Sequence, residues 1–202
     1  MALPVRMTSP DASPTDPLLQ WSERLTRSDR TAFKRLFEAL HEPLVRYAVP
    51  LAGDTAAAHD IVQEAFIKLW QRRAQLDPNR SVKALLYTIV RNLSLNERRN
   101  RTSRAEKLEA AAVSPLSPTT AEQLDAEALQ RRLRGWMKEL PDRQREALLL
   151  SRYEGLSHEE VAQVMEVSPR TVNNHIVRAL RTLRDRLQAF DPGLLAHEST
   201  SP

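Results

Sequence analysis

Asparagine and arginine side chains cluster on one face of a segment near the C-terminus, where they offer hydrogen bonds that DNA bases can use. Asn can pair bidentately with adenine, and Arg with guanine, through the major groove. A solvated helix face would favour Glu and Lys instead, yet no acid occurs in this segment before Asp185. The face therefore predicts a helix that enters the major groove; the alternative is a helical hairpin with a solvated basic face. At about 100° per residue, the residues that share the face are Arg170, Asn173, Asn174, Val177, Arg178 and Arg181.

Two helices and a tight turn are needed to present that face. Ser157 is placed to cap the first helix, and Glu160 three residues later would complete a capping box. Ser168 and Pro169 restart the chain, because a proline at the first helical position loses no hydrogen bond. The pattern predicts a helix-turn-helix. The apolar residues that its second helix turns inward are expected to be Val172, Ile176, Ala179, Leu180 and Leu183.

A second set of side chains that suit nucleic acid follows Ser81, which is placed to cap another helix. Tyr87, Arg91, Leu95 and Arg98 share one face of it, and interleaved aromatic and arginine side chains suit unstacked bases and phosphates. The alternative is a basic helix end, where positive charge favours the helix dipole. Around this face lie Lys83, Thr88, Arg99 and Arg101. The buried stripe predicted on the opposite side is Val82, Leu85, Leu86, Ile89, Val90 and Leu93.

A third surface combines one apolar residue with polar neighbours on a helix that Asp54 is expected to start. Asp60, Gln63 and Glu64 surround Ile67 on the face opposite a predicted core of Ile61, Val62, Ala65, Phe66 and Leu69. An apolar centre with a polar rim is typical of a protein docking surface. Single exposed apolar residues are also common by chance, so the sequence leaves both interpretations open.

Composition excludes several kinds of site. The 202 residues include 30 basic and 26 acidic side chains, for a formal net charge of +4, which fits a local DNA contact. Cysteine is absent, and His158-Glu159-Glu160 lacks a second His at the position of Ala162, so no metal site is predicted. No cofactor, no catalytic residue and no membrane insertion are expected. We predict a cytoplasmic protein that is not an enzyme and whose translation starts at Met1 or Met7.

Helical spacing of apolar residues and only four Gly predict an all-α fold of two small helical domains joined by a flexible linker. Pro43 is expected to bend or end the helix that starts near Asp29. The predicted order is a disordered extension (1–15), a first helical domain (16–101), a linker rich in Ala, Ser, Thr and Pro (102–123), the helix-turn-helix domain (124–188) and a tail (189–202).

Three segments together resemble the bacterial RNA polymerase sigma factors of the extracytoplasmic-function (ECF) group, in which regions two and four are present. Asp60 to Trp70 looks like the polymerase-docking helix of region two, and Leu86 to Leu93 with Arg98-Arg99 is similar to its promoter-melting helix. Leu140 to Glu146, Tyr153 to Ser157 and Thr171 to Leu180 look like region four. The resemblance covers about residues 17–186. Two positions depart from the family pattern, with Leu85 where Trp is common and Asn96 where Asp often occurs.

The resemblance implies a role for each of the three surfaces, and a loop from Gln75 to Ser81 that takes up an extruded base of the minus-ten element. The residues that it places on the clamp helices of the largest polymerase subunit are Asp60, Gln63, Glu64 and Ile67. Those that would contact and melt the minus-ten element are Lys83, Tyr87, Thr88, Arg91, Asn92, Arg98 and Arg99. Those that would read the minus-thirty-five element are Arg170, Thr171, Asn173, Asn174, His175, Val177 and Arg178.

The resemblance also implies three kinds of partner. These are core RNA polymerase, including the flap of its second subunit, promoter DNA, and an anti-sigma factor. The competing interpretation is a stand-alone helix-turn-helix regulator that binds duplex DNA as a dimer. It would not require Asp60, Gln63 or Glu64.

Overall fold

A computed structural model describes residues 17–77, 80–105 and 126–190, and these residues form helices and connecting turns without a strand. The all-α prediction is confirmed. In chain order the α-helices are α1 (Pro17–Thr26), α2 (Arg30–Ala52), α3 (Thr55–Gln71), α4 (Val82–Ala105), α5 (Ala126–Glu139), α6 (Asp142–Leu148), α7 (His158–Met165) and α8 (Pro169–Phe190). A 3₁₀ turn (Arg73–Gln75) follows α3, and a π-helical turn (Leu149–Tyr153) follows α6.

The chain forms two compact units, residues 1–94 and residues 95–202, with the boundary inside α4. The first four residues of the predicted linker continue α4, because that helix ends at Ala105. Residues 189 and 190 of the predicted tail likewise continue α8. The rest of the predicted linker, the N-terminal extension and the remainder of the tail lie outside the described residues.

In the first unit, Asp29 fixes the start of α2. Its carboxylate accepts hydrogen bonds from the amides of Thr31 and Ala32 at 2.8 and 3.1 Å, and Arg24 Nε donates to it at 2.8 Å. The Ala32 amide and the Arg24 guanidinium hold the pKa of Asp29 below its usual value. Because the folded state lowers this pKa, the stabilisation is present at neutral pH and is lost on acidification through the folded-state pKa.

A ladder of aromatic rings packs α2 against α3. Phe33 contacts Trp70 with ring centroids 5.0 Å apart, and Phe37 contacts Phe66 at 4.8 Å. Arg73 from the 3₁₀ turn places its guanidinium carbon 4.3 Å from the centroid of Trp70. These contacts hold α2 and α3 as a packed hairpin, which exposes the opposite side of α3.

Helix α2 continues through Pro43 and Pro50, so Pro43 does not end the helix. A proline inside a helix removes one backbone hydrogen bond and costs about 3 kcal/mol. Burial on both sides of Pro43 offsets this cost, since Leu40 and Leu44 pack in the core. The helix ends instead at Ala52, where Gly53 caps it with a φ of 77° that suits glycine. Asp54 then caps α3 through the amide of Ala57 at 3.1 Å.

In the second unit, side-chain caps fix the ends of short helices. The hydroxyl of Ser157 accepts from the Glu160 amide at 3.2 Å, and the Glu160 carboxylate accepts from the Ser157 amide at 2.7 Å, which completes the predicted capping box. Ser168 caps α8 through the amide of Thr171 at 3.1 Å. Arg145 donates to the carbonyls of Lys138 and Leu140 at the end of α5. Helices α5, α6 and α7 all contact α8.

We expect Ser157→Ala to lower the free energy of unfolding of the second unit by about 1 kcal/mol, because the Glu160 amide loses its acceptor. Chemical denaturation followed by helical circular dichroism measures the change. The matched control is Gln163→Ala, which alters an exposed residue of the same helix and should stay within about 0.5 kcal/mol. Equal effects of the two substitutions would contradict the assigned role of the cap.

Candidate nucleic-acid interface

Helix α8 is rotated so that its predicted DNA-facing residues point to solvent. Val172, Ile176 and Ala179 are buried at 3% exposure or less, and this apolar row sets the rotation. The residues exposed on the opposite side are Arg170, Asn173, Asn174, Val177, Arg178 and Arg181, as the spacing predicted. Thr171 and His175 are half-buried at its margin. The side chains are therefore available to a duplex, and their contacts with DNA stay a prediction.

Two residues assigned to the inner side of α8 are less buried than predicted, since Leu183 is half-buried and Leu180 is exposed. Leu180 is 38% exposed. Helix α8 has 22 residues and α7 has 8, which correspond to lengths of about 33 and 12 Å at a rise of 1.5 Å per residue. Helix α7 is therefore too short to cover the C-terminal part of α8. There, Arg186 pairs with Glu139 of α5 at 2.6 Å, and Phe190 contacts Trp136.

The aromatic and arginine face of α4 was predicted to be exposed, and this prediction is wrong at two central positions. Tyr87 is fully buried, with its ring 5.1 Å from that of Tyr47, and Arg91 is only 4% exposed. Both side chains combine an apolar body with a polar tip, so they can pack in a core as well as face solvent. Leu85, Ile89 and Leu93, which were predicted to be buried, are half-buried instead. The buried side of α4 is thus rotated from the predicted stripe.

Other predicted minus-ten residues remain accessible. Asn92, Arg98 and Arg99 are exposed, and Lys83 and Thr88 are half-buried. The Thr88 hydroxyl donates to the Ala84 carbonyl at 2.9 Å, so its proton is already used within the helix. Arg99 donates to the side-chain oxygen of Asn96. Within the loop predicted to hold an extruded base, residues 78–79 lie outside the described residues.

The predicted docking residues of α3 form an exposed surface. Asp60, Gln63 and Glu64 face solvent, and Ile67 is 56% exposed among them. Glu64 also pairs with Lys68 at 2.7 Å. The opposite side of α3 is buried, as predicted, through Ile61, Val62, Ala65, Phe66 and Leu69. An apolar side chain is thereby held in the middle of a polar surface by the packing behind it, which is the arrangement found at the centre of many interfaces.

Tyr153 was not assigned to any surface by the sequence, yet it is 69% exposed. It ends the π-helical turn, in which the Glu154 amide donates to the Leu149 carbonyl at 3.1 Å. In an uninterrupted α-helix, Tyr153 would share a side with the buried Leu150 three positions earlier. The wider π turn carries it away from that side. Apolar periodicity does not signal a π turn, so this exposure has no clear sequence indicator.

Within the parts of the chain that the structure describes, no group of three or more His, Cys, Asp or Glu side chains is arranged to hold a metal. None of the helices described is both long enough and apolar enough to cross a membrane.

Comparisons with known proteins match each of the two helical units. Family models match twice, as sigma-70 region 2 over residues 36–104 and as sigma-70, region 4 over residues 130–183. A solved structure of the sigma factor RpoE from Bartonella quintana, in complex with the anti-sigma factor NepR, has a TM-score of 0.61. It is 24% identical and covers 77% of this chain and 96% of that one, which is a likeness of fold.

Two relatives illustrate the similarity of sequence. The probable RNA polymerase sigma factor RfaY of Xanthomonas campestris is 36% identical over 166 residues, which are 79% of this chain and 42% of RfaY. The chain therefore spans less than half the length of that relative. The ECF RNA polymerase sigma factor SigL of Mycobacterium tuberculosis is 27% identical over 162 residues, which are 80% of this chain and 92% of SigL.

Because Tyr87 is buried, we predict that it contributes to the stability of the fold. We expect Tyr87→Ala to lower the free energy of unfolding by about 3–5 kcal/mol, as truncation of a large core ring does. Tyr87→Phe keeps the ring that packs on Tyr47 and should cost much less. Urea denaturation of the full chain measures both. If Tyr87→Ala left stability unchanged, the core position assigned to this ring would be contradicted.

Proposed function

Because the chain belongs to the sigma-70 family of RNA polymerase sigma factors, in its extracytoplasmic-function group, we propose that it binds core RNA polymerase and directs promoter-specific initiation. Such a protein is a regulatory factor, and the chemistry of RNA synthesis belongs to the polymerase. The observation that carries the proposal is the match of regions two and four, in chain order, to units that expose the polar faces described above. Its site of action is the cytoplasm, where the bacterial polymerase and chromosome lie.

Helix α8 supplies the reader of the minus-thirty-five element in this proposal. Recognition helices contact base edges with their N-terminal residues, and the exposed Asn173, Asn174 and Arg178 lie in the first three turns of α8. Val177 is 55% exposed among them and provides an apolar contact suited to a thymine methyl group. Arg170, Thr171 and His175 lie beside them, near the sugar–phosphate backbone.

Helix α4 supplies the contacts to the minus-ten element through the residues that stay accessible. Asn92 offers a donor and an acceptor to a base edge, and Arg98 and Arg99 offer positive charge to phosphates. Lys83 and Thr88 contribute at the margin. Tyr87 and Arg91 have no direct DNA contact in this proposal, because both are buried. They hold α4 in position instead.

The surface of α3 supplies the contact to the polymerase. Ile67 inserts as the apolar centre, and Asp60, Gln63 and Glu64 form the polar rim that sets orientation. We place this surface against the clamp helices of the largest subunit, while the flap of the second subunit holds the helix-turn-helix unit. An anti-sigma factor is the proposed inhibitor, in line with the complex in which RpoE of Bartonella quintana was solved.

A reconstituted transcription assay tests the function as a whole. Core polymerase with the full chain should initiate at promoters selected from the native genome, and core polymerase alone should not. Binding to core, measured separately, should occur without DNA. Tight binding of a dimer to duplex DNA without polymerase, together with no binding to core, would support the stand-alone regulator and contradict the sigma-factor proposal.

We expect Arg178→Ala to reduce discrimination at one base pair of the minus-thirty-five element by about 1–3 kcal/mol, because a bidentate contact to guanine is lost. The measurement is the affinity of the holoenzyme for promoters that differ at single base pairs. Arg184→Ala is the matched control, since it removes the same charge from an exposed position farther along α8. It should change affinity uniformly and leave sequence preference intact. An unchanged sequence preference in Arg178→Ala would show that Arg178 does not read the minus-thirty-five element.

We expect Ile67→Ala to weaken binding to core polymerase by more than about 1 kcal/mol, or roughly fivefold, as truncation of a central interface residue does. Fluorescence titration of labelled full chain with core measures the affinity. Leu19→Ala truncates another exposed apolar side chain of the same unit, at 40% exposure, and serves as the control. Similar affinities for all three proteins would place the docking surface elsewhere.

A further inference from the structure

Two histidines extend the aromatic ladder between α2 and α3. Phe33 and Phe37 of α2 face Trp70 and Phe66 of α3, and the next position along α2 is His41. Its ring lies 4.8 Å from that of Phe37 and 5.5 Å from that of His59 on α3. At this end of the aromatic ladder, two imidazole rings therefore take the places that phenyl and indole rings occupy in the rest of the ladder. Neither the docking surface nor the DNA contacts account for this pair.

The separation of the two rings suits a shared metal ion. Imidazole nitrogens bind Zn²⁺ at about 2.0–2.1 Å, which puts the centroids of two rings on one tetrahedral ion on the order of 5 Å apart. The observed separation is 5.5 Å. Both side chains are half-buried, so the pair remains open to solvent on one side. Water molecules can then complete the coordination that two protein ligands leave open.

The neighbours of His41 restrict the movement of its imidazole. Glu42 Oε1 lies 3.4 Å from His41 Nδ1. The Phe37 ring on its other side restricts the movement of the imidazole. One requirement of a metal site, restricted movement of its ligands, is thus met before any ion binds.

The helices that carry the pair hold their spacing without a metal. The ring contacts of the hairpin set the distance between α2 and α3, and Gly53 and Asp54 fix the turn that joins them. A preorganised pair binds an ion with less loss of entropy than two mobile side chains would. We infer that His41 and His59 form a two-imidazole site for a divalent transition-metal ion, such as Zn²⁺, Ni²⁺ or Cu²⁺, that clips α2 to α3. Imidazole ligands favour these ions over Mg²⁺ or Ca²⁺, which prefer oxygen.

Calorimetric titration of the full chain with NiCl₂ tests the site. Wild-type protein should bind one ion saturably at pH 7.5, and MgCl₂ at the same concentrations should give no binding. The double variant His41→Gln/His59→Gln should bind Ni²⁺ at least tenfold more weakly. The matched control is His158→Gln/His175→Gln, which removes two histidines from the other unit and should retain wild-type affinity. Circular dichroism of each protein without metal establishes that the fold is kept.

A second measurement distinguishes an ion bound by both histidines, which links α2 to α3, from an ion bound by one histidine alone. Ni²⁺ should raise the unfolding midpoint of the wild-type protein with increasing concentration, because it binds the folded pair more tightly than the separate histidines of the unfolded chain. Each single variant should lose most of this rise. Equal Ni²⁺ affinity in the wild type and the His41/His59 double variant, or the absence of saturable binding, would overturn the proposal.

Discussion

The rotation of each surface helix about its own axis is the constraint on which every proposed contact depends. In α8, the buried row of Val172, Ile176 and Ala179 sets that rotation. A side chain one position along the helix points about 100° away, so a small change in which residues are buried would replace Asn173 and Arg178 by other residues. The proposed base contacts therefore depend on apolar packing on the opposite side of the helix. The caps at Ser157 and Ser168 add the second requirement, because they fix where each helix of the pair begins.

In the first unit, the rotation of α3 about its own axis is likewise set by the side chains that it buries. Aromatic rings, among them Phe66 and Trp70, pack α3 against α2 together with buried aliphatic side chains such as Val62. Ile67 is adjacent to Phe66 in sequence and is exposed because its neighbour is buried. Large rings on one side of a helix thus place an apolar side chain in water on the other. Burial of the ring area outweighs the exposure of one isoleucine, since the favourable free energy scales with the apolar area removed from solvent.

Much of this architecture could be predicted from the sequence where a helix has a single buried side. The faces of α3 and α8 follow from spacing, and the caps at Asp54, Ser81 and Ser157 follow from residue type. The prediction failed for α4, whose buried residues include Tyr87 and Arg91 as well as aliphatic ones. Residue type does not decide whether an amphipathic side chain packs or faces solvent, since either environment can satisfy it.

Backbone irregularities also could not be predicted from the sequence. Helix α2 runs through Pro43 because core packing overrides a local preference, and that balance depends on residues far along the chain. Glu166 ends α7 in a left-handed conformation with φ of 56°, although glycine is the usual residue there. Such features depend on tertiary structure, which one-dimensional patterns do not contain.

The π-helical turn before α7 leaves the chain with tyrosines in very unequal environments. The sequence has three, and Tyr47 and Tyr87 are shielded in the interior whereas Tyr153 is not. A reagent that attacks phenol rings, such as tetranitromethane, therefore has one ready target in the native protein. A single nitrated ring at that position absorbs visible light and reports on its surroundings. The irregular turn thus provides an intrinsic labelling site next to the helix-turn-helix, without an engineered cysteine.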